Sequence, residues 1–320
     1  MKKIMTMLVF AVVTAPVVAA EQFPARPIRM IVPYAPGGNV DISARIVAPP
    51  LAEVLGQTVV VDNRPGAGGN LGASLVAKAT PDGYTLLVGS SGPLSVNPVI
   101  YKNLPYDSVK DFAPLSTVQS VPLIVLASPK SGINSINDLV AAAKARPGKL
   151  TMASSGAGTT NHFAIELFSS MAGIKVLHVP YKGSGPALSE LLGSQVETMV
   201  DQLAASIGYV KDGRLKVLAV TTPRRAGVLP NVPTLDELGY KGYQAATLLG
   251  LLAPAGTPKP VIDKLNAAIR KVMDNPAVSE RFRGLGTEPG ASSPEEFSKR
   301  IREELAQWRA LVKKLGLKFE

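Results

Sequence analysis

"PIRMIVPYAPGGNVDISAR", residues 27–45, carries the reading that decides the fold class. PIRMIVPY (27–34) reads as a strand, APGG (35–38) as a sharp glycine turn, and NVDISARIVAPPLAEVLG (39–56) as a helix. A strand that turns straight into a helix is the building unit of an α/β domain. The turn itself has two readings. It is a plain connection, or it is a cradle where the free N–H groups and positive dipole end of a new helix meet an anion.

The same unit recurs downstream. TVVVDNRPGAGG (58–69) is a strand into a glycine loop, NLGASLVAKATPDG (70–83) a short helix, and YTLLVGSSG (84–92) a strand into another turn. The rhythm restarts with VPLIVLASP (121–129), SINDLVAAAKARPG (135–148), KLTMASSGAG (149–158) and TTNHFAIELFSSMAG (159–173). VLHVPYKGSGP (176–186), VETMVDQ (196–202) and LKVLAVTTP (215–223) complete a second series. Apolar runs without alternation predict strands buried on both faces, hence a parallel sheet under helices. Two series predict two lobes, with the change near residue 120. The last quarter is mainly helical. There SPEEFSKRIREELAQWRALVKKLG (293–316) opens with a Ser293–Glu296 capping box and Pro294 at the first helical position. Phe297, Ile301, Leu305, Trp308, Val312 and Leu315 fall on one apolar stripe, which makes Trp308 a core residue. Pro49 and Pro50 interrupt the first long helix, so a kink or break is expected after Ala48.

Composition narrows the function classes. Residues 1–20, MKKIMTMLVFAVVTAPVVAA, have Lys2 and Lys3, an apolar run and a small-residue end, the pattern of a secretory signal cleaved after Ala20. The apolar run is shorter than the ~20 residues of a membrane-spanning helix. Zero cysteines exclude disulfides, thiolate metal sites, cysteine catalysis and a lipid-modified N-terminus. With only His162 and His178, a histidine metal site is not expected, and no cofactor is. Loss of Lys2 and Lys3 leaves +8 of the formal +10 charge. No stretch interleaves basic and aromatic residues, so nucleic acid is not an expected partner.

Four small-residue turns follow strands: APGGN (35–39), GSSG (89–92), SSGAGTTN (154–161) and YKGSG (181–185). In open α/β sheets ligands bind at the carboxyl ends of strands, where such turns gather. Cofactor fingerprints fail: GAGGNLG (66–72) misses the dinucleotide spacing by one position and no P-loop exists. No nucleophile elbow or S-x-x-K is present. Asp41 either caps its own turn or meets ligand, Asp201 ends a strand and either faces a cleft or caps the next helix, and Arg64 either ties its glycine loop or binds an anion. His162 starts a helix and His178 lies in an apolar strand, and nothing pairs a nucleophile with a base.

RPIRMIVPYAPGGNVDISAR, VVVDNRPGAGGNLGASLVAKATPDGYTLLVG, NPVIYKNLPYDSVKDFAPLS, SSGAGTTNHFAIELF, VPYKGSGPALSELLGSQVETMVDQ and GRLKVLAVTTPRRAGVLPNVPTLDELG form an ordered series. Together they resemble the Bug family, the periplasmic solute receptors of tripartite tricarboxylate transporters, from about residue 24 to the C-terminus. The resemblance implies an α/β, two-lobed periplasmic-binding-protein fold (type II) with crossover strands near 121–127 and 246–253. It implies lobe 1 from 21–123 plus 248–320, lobe 2 from 124–247, and a return of the C-terminal helices to lobe 1. It further implies a small carboxylate ligand, no catalysis, a monomer, and the membrane subunits of such a transporter as partners. Carried over by motif, the ligand contacts are Tyr34, Gly38, Asn39 and Asp41, Ser90 and Ser91, Ser154, Gly158, Thr159 and Thr160, and Tyr181 and Asp201. The competing classes are a binding module that serves a signalling partner and an exported hydrolase.

Overall fold

The computed structural model describes residues 23–316, so the expected leader lies outside the described residues. β1 (Ile28–Val32) pairs in parallel with β2 (Val59–Asn63) and β3 (Thr85–Ser90). Ile28, Met30, Ile31 and Val32 are all fully buried, as the lack of alternation predicts for a strand covered on both faces. β3 is flanked by the antiparallel β9 (Ala246–Pro254), which in turn pairs with β4 (Phe112–Ala127).

β4 joins the two lobes by changing partners along its length. Residues 112–122 pair with β9, while residues 123–127 pair with β7 (Thr198–Gln202) and β8 (Lys216–Val220). Beyond β7 lie β5 (Thr151–Ser154) and β6 (Leu177–Pro180), parallel to each other, and the two-residue β10 (Glu288–Pro289) also pairs with β4. The order is therefore β2-β1-β3-β9-β4-β7-β5-β6.

α1 (Asn39–Leu55), α2 (Asn70–Ala77) and α3 (Asn97–Ile100) follow the strands of the first series, with a π-helical turn at Gly92–Val96 before α3. α4 (Ile136–Ala145), α5 (Thr160–Ala172), α6 (Ser184–Leu192) and α7 (Leu203–Lys211) follow those of the second. α8 (Lys259–Met273), α9 (Pro276–Gly284) and α10 (Pro294–Leu315) close the chain. α8 and α9 pack on the first core: Leu265, Ile269 and Phe282 join Met30, Leu51 and Leu86. α10 opens with the expected box, in which Ser293 Oγ accepts from the Glu296 N–H and Glu296 Oε2 from the Ser293 N–H. Its stripe serves two cores. Phe297 and Ile301 pack with Ile31, Leu87 and Leu252, while Trp308 reaches Phe163 of α5, ring centroids 4.4 Å apart.

The expected break after Ala48 is absent: α1 runs unbroken through Pro49 and Pro50. The buried face, with Ile46, Val47, Ala48 and Leu51, stays packed on β1. The exposed Pro49 and half-buried Pro50 lie outside it. The prolines leave the Arg45 and Ile46 carbonyls without their helical donors, and packing of the buried face overrides the local propensity. Among the described residues no helix is long and apolar enough to cross a membrane.

Candidate functional site

Two helix starts face each other across the lobes. α1 begins after Gly38 and α6 after Gly183, and neither has a side-chain cap. The first N–H groups of an α-helix have no intrahelical acceptor, so without a capping side chain those of α1 and α6 are open to a ligand. A Cβ placed on Gly38 would stand 3.6 Å from the Ser184 backbone nitrogen, and one on Gly185 only 2.6 Å from the Pro36 carbonyl oxygen. The Ala35 N–H donates to the Lys182 carbonyl at 3.0 Å, tying the two turns together. Between them lies a cavity of about 10 Å³ lined by Tyr34, Gly38, Asn39, Val40, Ser155, Ser184 and Gln202. That is room for about one water, so a larger ligand enters only as the lobes part.

No lining residue is charged. Asn39 is buried, its Oδ1 accepting from Gln119 Nε2 at 3.2 Å, while its Nδ2 has no hydrogen-bond partner among the described residues. Tyr34 Oη lies 3.1 Å from Ser90 Oγ and 3.3 Å from the Gly68 carbonyl. Burial, only partly offset by the Ser90 hydrogen bond, pushes its hydroxyl up to about 12, so it stays neutral. Asp41 turns away from the cavity and accepts from the Gly37 N–H, Arg45 Nε and Asn63 Nδ2, each at 3.0 Å. Burial works to raise its pKa, but these donors outweigh it and hold the carboxylate below its ordinary range. Of the two readings left open for Asp41, the geometry gives the one that fixes the turn. Arg64 pairs with Asp62, Nε to Oδ1 3.0 Å, and so ties its own loop.

In the second lobe each expected contact at a strand end has a neighbour nearer the cavity. Ser154 is fully buried with Oγ 2.7 Å from His178 Nε2, and Ser155 lines the cavity instead. Asp201 is fully buried beneath Ser184, accepting from Ser184 Oγ and Ser206 Oγ at 2.5 Å each, and Gln202 lines the cavity instead. Burial, against the pull of those hydroxyls, pushes Asp201 up to about 6. Thr159 caps α5, its Oγ1 accepting from the His162 N–H at 3.3 Å and donating to the Gly156 carbonyl at 2.7 Å. The Gly158 N–H is taken by His162 Nδ1 at 3.2 Å. His162 stacks on His178 at 4.1 Å, and burial depresses both imidazoles, to about 3 and about 4, with His178 also repelling charge on His162. Thr160 is buried at the start of α5, and Tyr181 is half-buried against the second-lobe core. In the first lobe, Ser91 Oγ donates to Glu304 Oε1 at 2.8 Å, away from the cavity.

The structure thus brings Tyr34, Gly38 and Asn39 to the cavity, with Ser90 and Asp41 directly behind them. Ser91, Ser154, Gly158, Thr159 and Asp201 belong to the networks that shape its walls. The cavity is also lined by Ser155, Ser184 and Gln202, none of them among the carried-over contacts, although Ser155 and Ser184 lie in quoted turns and Gln202 ends a quoted strand. The Ser154–His178 contact is a serine–histidine pair, but Ser154 is sealed below the turn and does not reach the cavity. Among the described residues no group of three His, Cys, Asp or Glu could hold a metal. What the arrangement offers is a set of neutral donors converging on a small space.

A model of the tripartite tricarboxylate transporter family receptors matches residues 43–317. The periplasmic binding protein BugD is 38% identical, with a TM-score of 0.90 over 93% of this chain and 100% of that one. Rpa4515 of R. palustris, solved with adipate, is 35% identical, with a TM-score of 0.89 over 92% of this chain and 99% of that one. MatC (Rpa3494) from Rhodopseudomonas palustris, solved with malate, is 32% identical, with a TM-score of 0.87 over 91% of this chain and 100% of that one.

Proposed function

The chain belongs to the tripartite tricarboxylate transporter receptor family, and from that premise we propose that it binds a small organic carboxylate between the starts of α1 and α6. It is a periplasmic solute-binding receptor of this family and not an enzyme. In the proposed reading it delivers the anion to the membrane subunits of a tripartite transporter, after export through a leader cleaved behind Ala20. The lobes are 21–123 with 248–320, and 124–247, hinged where β4 and β9 link them.

The observation that carries the proposal is the pair of uncapped, glycine-led helix starts facing one cavity. The buried Asn39 Nδ2 adds a donor without an acceptor. A helix start favours an anion by ~0.3–1 kcal/mol when exposed and up to ~2 when partly buried. Hydrogen bonds to a charged group add ~1.5–3 kcal/mol each before desolvation is subtracted. Two helix starts and three or so such bonds are enough to hold a carboxylate without an arginine. The adipate and malate of the solved relatives belong to the same ligand class.

Calorimetry with adipate, malate and their neutral diamides tests the reading. An acid that binds should lose about tenfold or more on amidation, since each ~1.4 kcal/mol is a factor of ten. Equal affinities for acid and amide would remove the anion cradle.

A further inference from the structure

The β3–α3 turn, which carries Ser90 beside Tyr34, is held from behind by a residue more than 200 positions later in the chain. Glu304 of α10 is partly buried and touches two serines: Ser91 Oγ lies 2.8 Å from Oε1, and Ser95 Oγ is in short contact with Oε2. Ser95 Oγ also lies 2.8 Å from the Ser91 carbonyl oxygen. Ser91 Oγ meanwhile accepts the Leu248 N–H of β9, at 2.9 Å.

These contacts can be counted in protons. Three oxygen–oxygen contacts close the ring: Ser91 Oγ to Glu304 Oε1, Glu304 Oε2 to Ser95 Oγ, and Ser95 Oγ to the Ser91 carbonyl. Each hydrogen bond needs one proton, and a carbonyl oxygen supplies none. The two serines supply two. The third sits on Glu304, whose Oε2–H then donates to Ser95 Oγ while Ser95 donates to the Ser91 carbonyl and Ser91 donates to Oε1.

We propose that Glu304 carries a proton in the closed receptor and is the positioning residue for the β3–α3 turn, so that ambient pH sets how firmly the cleft's first-lobe wall is held. Ionising it leaves one of the three contacts without a proton and loosens the turn from α10 and from the crossover strand β9. Burial points the same way, raising the carboxyl to about 7 against the pull of the Ser91 hydroxyl and of Arg300. Arg300, one turn earlier on α10, is the charged group acting on it. The Thr85–Ile100 segment, β4 and β9 carry no charged side chain, and α5, which meets α10 through Phe163 and Trp308, carries His162 and Glu166. Only the consequence for ligand affinity rests on the carboxylate-receptor reading; the proton and the turn do not.

Glu304→Gln is a neutral copy of the protonated acid, its amide N–H donating to Ser95 and its oxygen accepting from Ser91. Thermal unfolding and amide hydrogen exchange at residues 90–97 are compared in the two proteins from about pH 4 to about pH 8.5. A raised acid contributes fully only below its unfolded value, ~4.3, and that contribution is lost as pH climbs from there through the folded value. Wild type should therefore match the Gln variant at the acid end, then fall below it by a few degrees, with faster exchange in the turn. A Gln variant less stable than wild type throughout, or two parallel pH profiles, overturns the proposal.

Should the Gln variant not fold, Ser95→Ala gives a second test through the infrared carbonyl band of the protonated carboxyl. Removing the acceptor of the acid's proton should lower the pH at which the band is lost; a rise would mean that Ser95 donates to an ionised carboxylate. With adipate as probe, the ratio of Gln-variant to wild-type affinity should rise severalfold toward high pH, which cancels the titration of Asp201 and of adipate itself common to both proteins. Adipate that binds neither protein at any pH would count against the ligand reading, while the exchange comparison still judges Glu304.

Discussion

At position 38 the chain uses glycine although its backbone does not demand it, φ being −84°. A Cβ there would meet only ordinary contacts, 3.6 Å to Ser184 and 3.8 Å to the Ala35 carbonyl. The missing side chain matters for the space beyond, which is the cavity. Gly38→Ala should therefore fold and bind, whereas the branched methyls of Gly38→Val should fill the cradle and weaken carboxylate binding by at least about tenfold at unchanged fold. Thermal unfolding and calorimetry check both, and a Val variant with wild-type affinity would take this turn out of the site. Gly183 differs: its φ of +144° is itself a reason for glycine, and Ala35 N stands 3.1 Å from where a Cβ would be. Composition showed which turns carry small residues, but not which side chain of each faces the ligand. Side chains at a strand end alternate between faces, so a shift of one residue exchanges Ser154 for Ser155 and Asp201 for Gln202. One sequence does not fix that parity.

Among the elements, the strand–turn–helix rhythm was legible because buried parallel strands read as unbroken apolar runs, as β1 and β3 do. The capping box of α10 was legible for a different reason, since it is a local side-chain bargain between Ser293 and Glu296. α1 was misread at Pro49 and Pro50 because propensity is local and packing is not. The proline pair breaks no core contact, yet it removes two helix hydrogen bonds at a site where an interior proline costs ~3 kcal/mol. Pro49→Ala and Pro50→Ala should each stabilise the protein by about 1–2 kcal/mol, part of the gain being offset by a more flexible unfolded chain. Denaturant titration measures this, with ligand affinity unchanged because the site lies at the other end of the helix. Destabilisation would show that the prolines are built into the packing. The proposed second arm of the cradle, at the start of α6, is not one the motifs singled out. The turn before α5, residues 154–161, is rich in hydroxyls, but Thr159 turns its oxygen to its own helix, whereas α6 starts without a side-chain cap.

For the whole molecule, the two-lobed class followed from the resemblance and the two βα series, while the sheet order did not. That β9 runs antiparallel between β3 and β4, and that β4 changes partners between Pro122 and Leu123, are long-range pairings without a local signature. The reach of α10 from Ile31, Leu87 and Leu252 to Phe163 was equally hidden, since its stripe shows only that it is buried and not by what. In the proposed reading these features make binding a matter of geometry between lobes: the α1 and α6 starts would form one neutral-donor site where the turns at Ala35 and Lys182 meet. A crystal structure of the protein with bound adipate or malate tests this most directly. A carboxylate group is expected within hydrogen-bond distance of the first N–H groups of both α1 and α6 and of Asn39 Nδ2. A carboxylate held by an arginine or lysine side chain, or seated away from both helix starts, would contradict it.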